Sequence, residues 1–181
     1  MVEVTPLGWD AAVPAGTYDV LLTFGSVAPP NLSQALSTTV DWVHVTSTGI
    51  DEFPLELLGN RVLTNNRGGS GGPISEWVLA MMLAFEKNIP DVWITGAGAS
   101  WYIANLGSLQ GRQLAIVGFG SIGQCLARRA QAFGMNVTAL RRSERPSPID
   151  GVGLARSLDD LLARADPPSR PRKPWLHRAM E

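Results

Sequence analysis

The chain has 181 residues, of which 45% are hydrophobic, 17% charged and 7% aromatic, enough apolar content for one large core or two small ones. Fifteen Lys and Arg against sixteen Asp and Glu leave a net charge of -1, which favours neither nucleic acid nor an anionic membrane surface as a partner. The single cysteine, Cys125, excludes an internal disulfide and a thiolate metal site and predicts a cytoplasmic location. The sequence shows no apolar run near the roughly 20 residues of a membrane helix and no signal peptide.

The first third of the chain predicts a strand, a helix and a second strand. An apolar run from Tyr18 to Phe24, bounded by glycines, indicates a buried strand. Asn31 is a candidate N-cap for a short helix. Residues 42–46 indicate the second strand, and the turn-prone segment 47–51 follows it. This order of elements is typical of an α/β layer.

The middle of the chain predicts one long helix between two irregular segments. Residues 65–72 are too rich in glycine for regular structure, and Pro73 follows at the expected first helical position. Apolar side chains then recur every three or four residues until near Pro90, which predicts a core helix between domains, with a subunit interface as the alternative. These side chains are Ile74, Trp77, Val78, Met81, Met82 and Phe85. Residues 91–108 predict a connection.

The pattern beyond residue 109 is that of a βαβ unit. A stripe on its helix is expected to be buried, formed by Ile122, Leu126, Ala130 and Phe133. In chain order the unit comprises a strand at 113–117, a glycine-rich turn at 118–123, a helix at 124–133, a left-handed Gly134 and a strand at 135–140. Ser157 and Asp160 then have the capping-box spacing that predicts a further short helix.

The glycine-rich turn is the strongest functional signal in the sequence. A Gly-x-Gly-x-x-Gly motif is weak alone, but here it follows a strand, opens a helix and leads to a second strand, the context of a dinucleotide-binding unit. Gly118 permits the tight turn, Gly120 the approach of a pyrophosphate, and Gly123 the close packing of helix on strand. The expected cofactor-binding residues are Gly118, Phe119, Gly120, Ser121, Ile122 and Gly123, with N–H groups facing the phosphates. A glycine-rich turn without a ligand is the alternative.

The residues after the second strand of this unit bear on the choice of cofactor. NAD-selective units place Asp or Glu there to bind the ribose 2′-OH, whereas this chain has Arg141, Arg142 and Ser143. Guanidinium groups suit a 2′-phosphate. The sequence therefore predicts NADP as the preferred cofactor over NAD, the alternative being a solvated, charged loop.

Taken together, these features resemble the D-isomer-specific 2-hydroxyacid dehydrogenase family. The resemblance is carried by residues 45–51, 62–76 with the helix that follows, 109–123, 133–137 and 157–162. It implies an α/β fold, with a partial flavodoxin-like substrate domain followed by the first half of a Rossmann doubly wound parallel sheet. The implied division is a partial substrate-binding domain at 1–72, an interdomain helix and connection at 73–108, a partial NAD(P)-binding domain at 109–165, and a Pro/Arg-rich, disordered tail at 166–181.

The resemblance also implies an activity. Members of the family transfer a hydride between nicotinamide and a small 2-hydroxy or 2-keto acid, in a cleft between two domains. Main-chain N–H groups of their glycine turn hold the substrate carboxylate, which here points to Ser47, Thr48 and Gly49; a plain βα turn is the alternative. The family further makes a homodimer an expectation.

Two departures from the family limit this prediction. The family's catalytic arginine, acidic residue and histidine lie downstream of the point where the tail begins, and neither His44 nor His177 fits such a role. We therefore assign no catalytic residue and expect the chain alone to be inactive. We also expect only two strands of the doubly wound sheet. A frameshift or premature stop would produce such a pattern; the alternative function is a non-catalytic dinucleotide-binding or protein-interaction module.

Overall fold

A computed structural model describes residues 2–25, 28–93, 96 and 106–165. The chain divides into two compact units between Ser70 and Gly71. Each unit contains a three-stranded parallel sheet, which confirms the predicted α/β fold with parallel strands. The expected tail at 166–181 and most of the connection after residue 93 lie outside the described residues. The four-part domain division stays a prediction.

The first unit is built on a sheet with the order β1-β2-β3. Its third strand was not among the elements predicted from the sequence. One face of the sheet packs on a core that includes Leu32, Val43 and Phe53. In chain order the elements are β1 (Val20–Thr23), α1 (Leu32–Leu36), β2 (Trp42–Val45), a 3-10 helix (Leu55–Leu57) and β3 (Val62–Asn65).

The residue before α1 does not cap it in the predicted way. Asn31 occupies the N-cap position, but its side chain makes no capping hydrogen bond. Its Nδ2 instead donates to the carbonyls of Gly8 at 3.2 Å and Ala11 at 2.8 Å. An amide carries donors as well as an acceptor, and here the donors bind the segment before β1. The prediction that the Asn31 side chain caps α1 was therefore wrong.

The second unit has a sheet with the order β4-β5-β6. The strand β6 corrects the expectation that only two strands of this sheet are present. Its elements are α2 (Gly71–Glu86), β4 (Gln113–Val117), α3 (Ser121–Ala132), β5 (Asn136–Leu140), β6 (Gly153–Ala155) and α4 (Leu158–Arg164). Helix α2 therefore begins two residues before Pro73. It packs on α3, and Arg129 of α3 forms an ion pair with Glu76 of α2 at 2.9 Å.

The buried faces of the two long helices differ from the predicted stripes. In α3 the buried residues are Gly123, Leu126, Ala127 and Ala130, whereas Ile122 and Phe133 are 38% and 43% exposed. In α2, Val78 and Met82 pack against the core. The other four members of the predicted α2 stripe are exposed: Ile74, Trp77, Met81 and Phe85.

Two local predictions in this unit are confirmed. Gly134 has a φ of 72°, the left-handed conformation that ends α3. Ser157 is the N-cap of α4, and its Oγ accepts a hydrogen bond from the N–H of Asp160 at 3.1 Å. The Asp160 carboxylate accepts in turn from the N–H of Arg156 at 2.9 Å and from Nε of Arg164 at 2.8 Å. These bonds hold the pKa of Asp160 below its ordinary value, the backbone N–H of Arg156 being the largest cause.

Candidate functional site

The turn between β4 and α3 has the conformation that its glycines predict. Gly118 follows β4 with a φ of 91°, a region that only glycine enters without strain. Its N–H donates to the carbonyl of Leu140 at 2.9 Å, which continues the pairing of β4 with β5 by one residue. Gly120 is the N-cap of α3 in an extended conformation. The turn is thus a defined structure rather than an open loop.

Gly123 and Gly120 differ in what surrounds them. A Cβ at Gly123 would lie 2.4 Å from the carbonyl oxygen of Gly118 and 3.2 Å from Cγ2 of Ile116. Only glycine therefore lets α3 lie this close to the turn and to β4. A Cβ at Gly120 would meet no heavy atom within 4 Å. The space in front of Gly120 is open, as the approach of a ligand phosphate to the backbone requires.

The first N–H groups of α3 lie next to that open space. Within the described part of the chain, no acceptor takes the N–H groups of Ser121, Ile122 or Gly123. The Phe119 side chain is buried, so only its main chain is available to a ligand. A groove of about 570 Å³ lies beside the turn and is lined by Val78, Leu126, residues 114–118 and residues 120–123. Unpaired donors at a helix start, reinforced by the helix dipole, form an anion-binding site.

The sheet register brings the predicted cofactor-specificity residues to the same edge. Val117, the last residue of β4, is paired with Leu140, the last residue of β5, so Arg141 begins the loop beside Gly118. Arg141 is half-buried, and its Nη1 approaches the carbonyls of Pro146 at 3.3 Å and Arg145 at 3.5 Å. Arg142 and Ser143 are exposed. Part of the Arg141 guanidinium thus holds its own loop, while Arg142 is presented to solvent.

The candidate substrate turn lies in the first unit, directly after β2. Ser47 is half-buried, and Thr48 and Gly49 are exposed. The N–H groups of these three residues donate to no acceptor in the described ranges. Their carbonyls are all bonded, to the N–H of Asn66 at 3.1 Å, to Nδ2 of Asn65 at 2.6 Å and to Oγ of Ser47 at 2.7 Å, respectively. The turn therefore presents donors rather than acceptors.

Sequence reasoning missed the residues that surround this turn. Asn65 ends β3 and lies opposite Val45 in the sheet register, and its side chain bonds Thr48. A Cβ at Gly25 would lie 2.3 Å from Oγ of Ser47 and 2.7 Å from the carbonyl oxygen of Gly49. The sequence offered one signal for the contact between Gly25 and the turn, because Gly25 is the glycine that bounds the first apolar run. No local pattern indicates the contact between Asn65 and Thr48, because it joins segments 17 residues apart.

His44 is held within the sheet of the first unit. Its Nδ1 lies 2.8 Å from Oγ1 of Thr64, which also accepts from Nε1 of Trp42 at 2.8 Å. The Trp42 and His44 rings meet edge to face with centroids 6.5 Å apart. His177 lies outside the described residues. Among the residues that the structure covers, no group of His, Cys, Asp or Glu side chains is arranged to hold a metal ion.

None of the described helices is both long and apolar enough to cross a membrane.

The two candidate sites belong to different units, the glycine turn of α3 to the second and Ser47–Gly49 to the first. Each site is formed within its own unit by residues adjacent at the carboxyl ends of parallel strands. That is where open α/β sheets bind ligands.

The chain is similar in sequence to curated reductases and in fold to solved structures. The chain is 29% identical over 132 residues to glyoxylate reductase of Thermococcus litoralis, covering 66% of this chain and 40% of that protein. It is 33% identical over 125 residues to hydroxypyruvate reductase of Thermotoga maritima, covering 65% of this chain and 39% of that protein. A solved D-isomer specific 2-hydroxyacid dehydrogenase family protein from Aeromonas salmonicida superposes with a TM-score of 0.65 at 30% identity, covering 81% of this chain and 47% of that one.

The match to a protein family agrees with these relatives. The chain spans less than half the length of both curated relatives, so the likeness concerns a part of each. Residues 79–167 match the family described as D-isomer specific 2-hydroxyacid dehydrogenase, NAD binding domain. That segment includes β4, the glycine turn, α3 and β5. In sequence and in fold, the chain is therefore similar to the D-isomer-specific 2-hydroxyacid dehydrogenases, and its residues 79–167 match the NAD-binding domain of that family.

Proposed function

We propose that the second unit binds a nicotinamide dinucleotide with its pyrophosphate at the start of α3. The observation that carries this proposal is the set of N–H groups on Ser121, Ile122 and Gly123 that have no acceptor among the described residues. They lie beside Gly120, where a Cβ would meet open space. Phosphate oxygens would accept hydrogen bonds from these donors, and the helix dipole would stabilise their negative charge. The donor set therefore fits the cofactor of the family.

The proposed reaction is that of a D-2-hydroxyacid dehydrogenase acting on a small 2-hydroxy or 2-keto acid, for which this chain would supply the cofactor and substrate sites but no catalytic residue. The nicotinamide, when bound, supplies or accepts the hydride. The substrate carboxylate would be held by the N–H groups of Ser47, Thr48 and Gly49, whose carbonyls are occupied by other donors. A run of unpaired N–H groups is suited to a carboxylate. The names of the relatives, glyoxylate reductase and hydroxypyruvate reductase, support this substrate class.

Within this cofactor class we propose a preference for NADP over NAD. The position after β5 holds Arg141, Arg142 and Ser143 in place of the acidic residue that binds a ribose 2′-OH. Arg142 is exposed and Arg141 is partly committed to the carbonyls of its own loop. Arg142 with Ser143 would therefore supply most of the contact to a 2′-phosphate, and Arg141 would shape the loop that presents them.

The preference is tested by comparing Arg142→Ala with Arg128→Ala, a change of another exposed arginine on α3. A charge-assisted hydrogen bond contributes about 1.5–3 kcal/mol, so Arg142→Ala should raise the Kd for NADPH by roughly 10- to 150-fold. The Kd for NADH should stay the same, and Arg128→Ala should change neither value. Isothermal titration calorimetry measures all of these constants. Equal losses for both cofactors would refute the preference.

The activity is tested by following NADPH absorbance with glyoxylate or hydroxypyruvate as substrate. We expect the 181-residue chain to bind cofactor without turnover, because no residue of the sequence matches the family's catalytic arginine, acidic residue and histidine. Binding without turnover is the expected result. Rapid hydride transfer would contradict the expected inactivity, and a chain that binds neither nucleotide would contradict the proposed function itself.

We further propose that the chain forms a homodimer through α2. Four apolar side chains spaced by three or four residues along this helix are exposed, namely Ile74 (40%), Trp77 (63%), Met81 (46%) and Phe85 (46%). An apolar stripe of this kind on a surface marks an interaction site, and a helix stripe can pair with itself about a twofold axis. Sedimentation should show a dimer that Trp77→Glu dissociates. A monomer at high concentration would refute the proposal.

A further inference from the structure

We infer that Asn65 is a positioning residue for the Ser47–Gly49 turn: it sets the direction of the Gly49 N–H. This inference rests on the proposed function, in which that N–H binds the substrate carboxylate. Asn65 is the last residue of β3 and is paired in register with Val45, the last residue of β2. Its side chain therefore emerges beside the turn that follows β2.

The planarity of the peptide group links the Thr48 carbonyl to the Gly49 N–H. The Thr48 carbonyl and the Gly49 N–H lie in one peptide plane and point in opposite directions within it. Nδ2 of Asn65 donates to the Thr48 carbonyl oxygen at 2.6 Å. That bond fixes the rotation of the plane, and so it fixes where the Gly49 N–H points. Without the donor, rotation of this peptide would be limited only by its neighbours.

The neighbouring peptide planes are held by other groups. The Ser47 carbonyl accepts from the N–H of Asn66 at 3.1 Å, which fixes the plane that ends in the Thr48 N–H. The Gly49 carbonyl accepts from Oγ of Ser47 at 2.7 Å. The Thr48 hydroxyl in turn donates to the Asn66 carbonyl at 3.1 Å. The central plane alone is held by a side chain from another strand, so Asn65 is the position where a single substitution releases it.

The turn also rests closely on the end of β1. A Cβ at Gly25 would lie 2.4 Å from Cγ1 of Val45 and 2.7 Å from the Gly49 carbonyl oxygen. Gly25 thus supports the turn from the strand on the other side of β2. The three parallel strands jointly shape a donor-rich turn, which β2 provides and β1 and β3 hold in place.

The test compares Asn65→Ala with Asn66→Ala in the full chain. Asn66 is exposed and bonds the turn only through its main chain, which alanine keeps, so it is the matched control. Sodium glyoxylate is titrated while the amide resonances of Thr48 and Gly49 are followed by NMR. One hydrogen bond contributes a factor of roughly 2 to 10 in binding, so Asn65→Ala should weaken glyoxylate binding by about that factor. The Gly49 amide should lose its response, and Asn66→Ala should match the wild type.

The outcomes separate this inference from the proposed function. No response of Thr48 or Gly49 in the wild type would refute the proposed substrate site, and the inference with it. A normal wild-type response that Asn65→Ala retains, with equal affinity, would overturn the inference alone. The affinity for NADPH reports on the second unit and should be unchanged in both variants. If Asn65→Ala does not fold, Asn65→Asp keeps the size and removes the donor, and wild-type binding by that variant would also overturn the inference.

Discussion

Replacing Gly120 with alanine separates the binding role of the glycine turn from its structural role. A Cβ at this position would meet no heavy atom within 4 Å, and the φ of -85° there is open to any residue. Gly123 provides the contrast, since its Cβ would lie 2.4 Å from the Gly118 carbonyl oxygen. Gly120→Ala therefore adds a methyl group to empty space, whereas Gly123→Ala forces α3 away from the glycine turn.

The expected magnitudes differ accordingly. Gly120→Ala should change the free energy of unfolding by less than about 0.5 kcal/mol, as surface substitutions do. If the pyrophosphate lies against this residue, the methyl group should cost about 1–3 kcal/mol of binding and raise the Kd for NADPH and NADH by roughly 5- to 150-fold. Gly123→Ala should lower the free energy of unfolding by about 1–3 kcal/mol, the usual effect of overpacking.

Two measurements on each variant separate the effect on stability from the effect on dinucleotide binding. Urea denaturation gives the free energy of unfolding, and calorimetric titration gives the Kd for each dinucleotide. The expected pattern for Gly120→Ala is weak binding by a protein as stable as the wild type. If that variant is equally stable and binds both dinucleotides with wild-type affinity, phosphate does not approach the backbone at Gly120 and the reasoning is refuted.

Two further predictions concern stability in the second unit. Leu161 is fully buried and the adjacent Leu162 is 57% exposed. Leu161→Ala should therefore lower the free energy of unfolding by about 2–5 kcal/mol, and Leu162→Ala by less than about 0.5 kcal/mol. Urea denaturation measures both values, and equal losses would contradict the packing of α4. Folding lowers the pKa of Asp160, so its carboxylate should stabilise the fold above its ordinary pKa and lose this effect as pH falls through the lowered pKa. An NMR titration should show the low midpoint, and Arg164→Ala should raise it; a midpoint at or above the ordinary value would contradict these contacts.

The sequence predicted best where the signal is local. The strand at residues 113–117 has the predicted bounds, because an apolar run ends there at a glycine turn. The left-handed Gly134 was also predictable, since a glycine after a helical pattern closes the helix. The strand β6 was missed because it has only three residues. The strand β3 was missed because only its first two residues are apolar, so it lacks the apolar run that marks β1.

Contacts between distant segments were beyond local patterns. The buried side of α3 was predicted to contain Ile122 and Phe133, yet both are exposed, and Gly123 instead lies against Gly118. The Ser47–Gly49 turn was identified from its sequence, but the hydrogen bond from Asn65 that holds it depends on strand pairing. The conformation of the glycine turn was predictable because its three glycines act within six residues; the contacts that support the Ser47–Gly49 turn were not.

A crystal structure of the chain grown with NADPH would test the proposed cofactor site directly. We expect pyrophosphate oxygens about 3 Å from the main-chain nitrogens of residues 121–123, with the 2′-phosphate against Arg142. Dinucleotide bound elsewhere on the chain, with these N–H groups left facing solvent, would contradict the central claim that the start of α3 binds the cofactor.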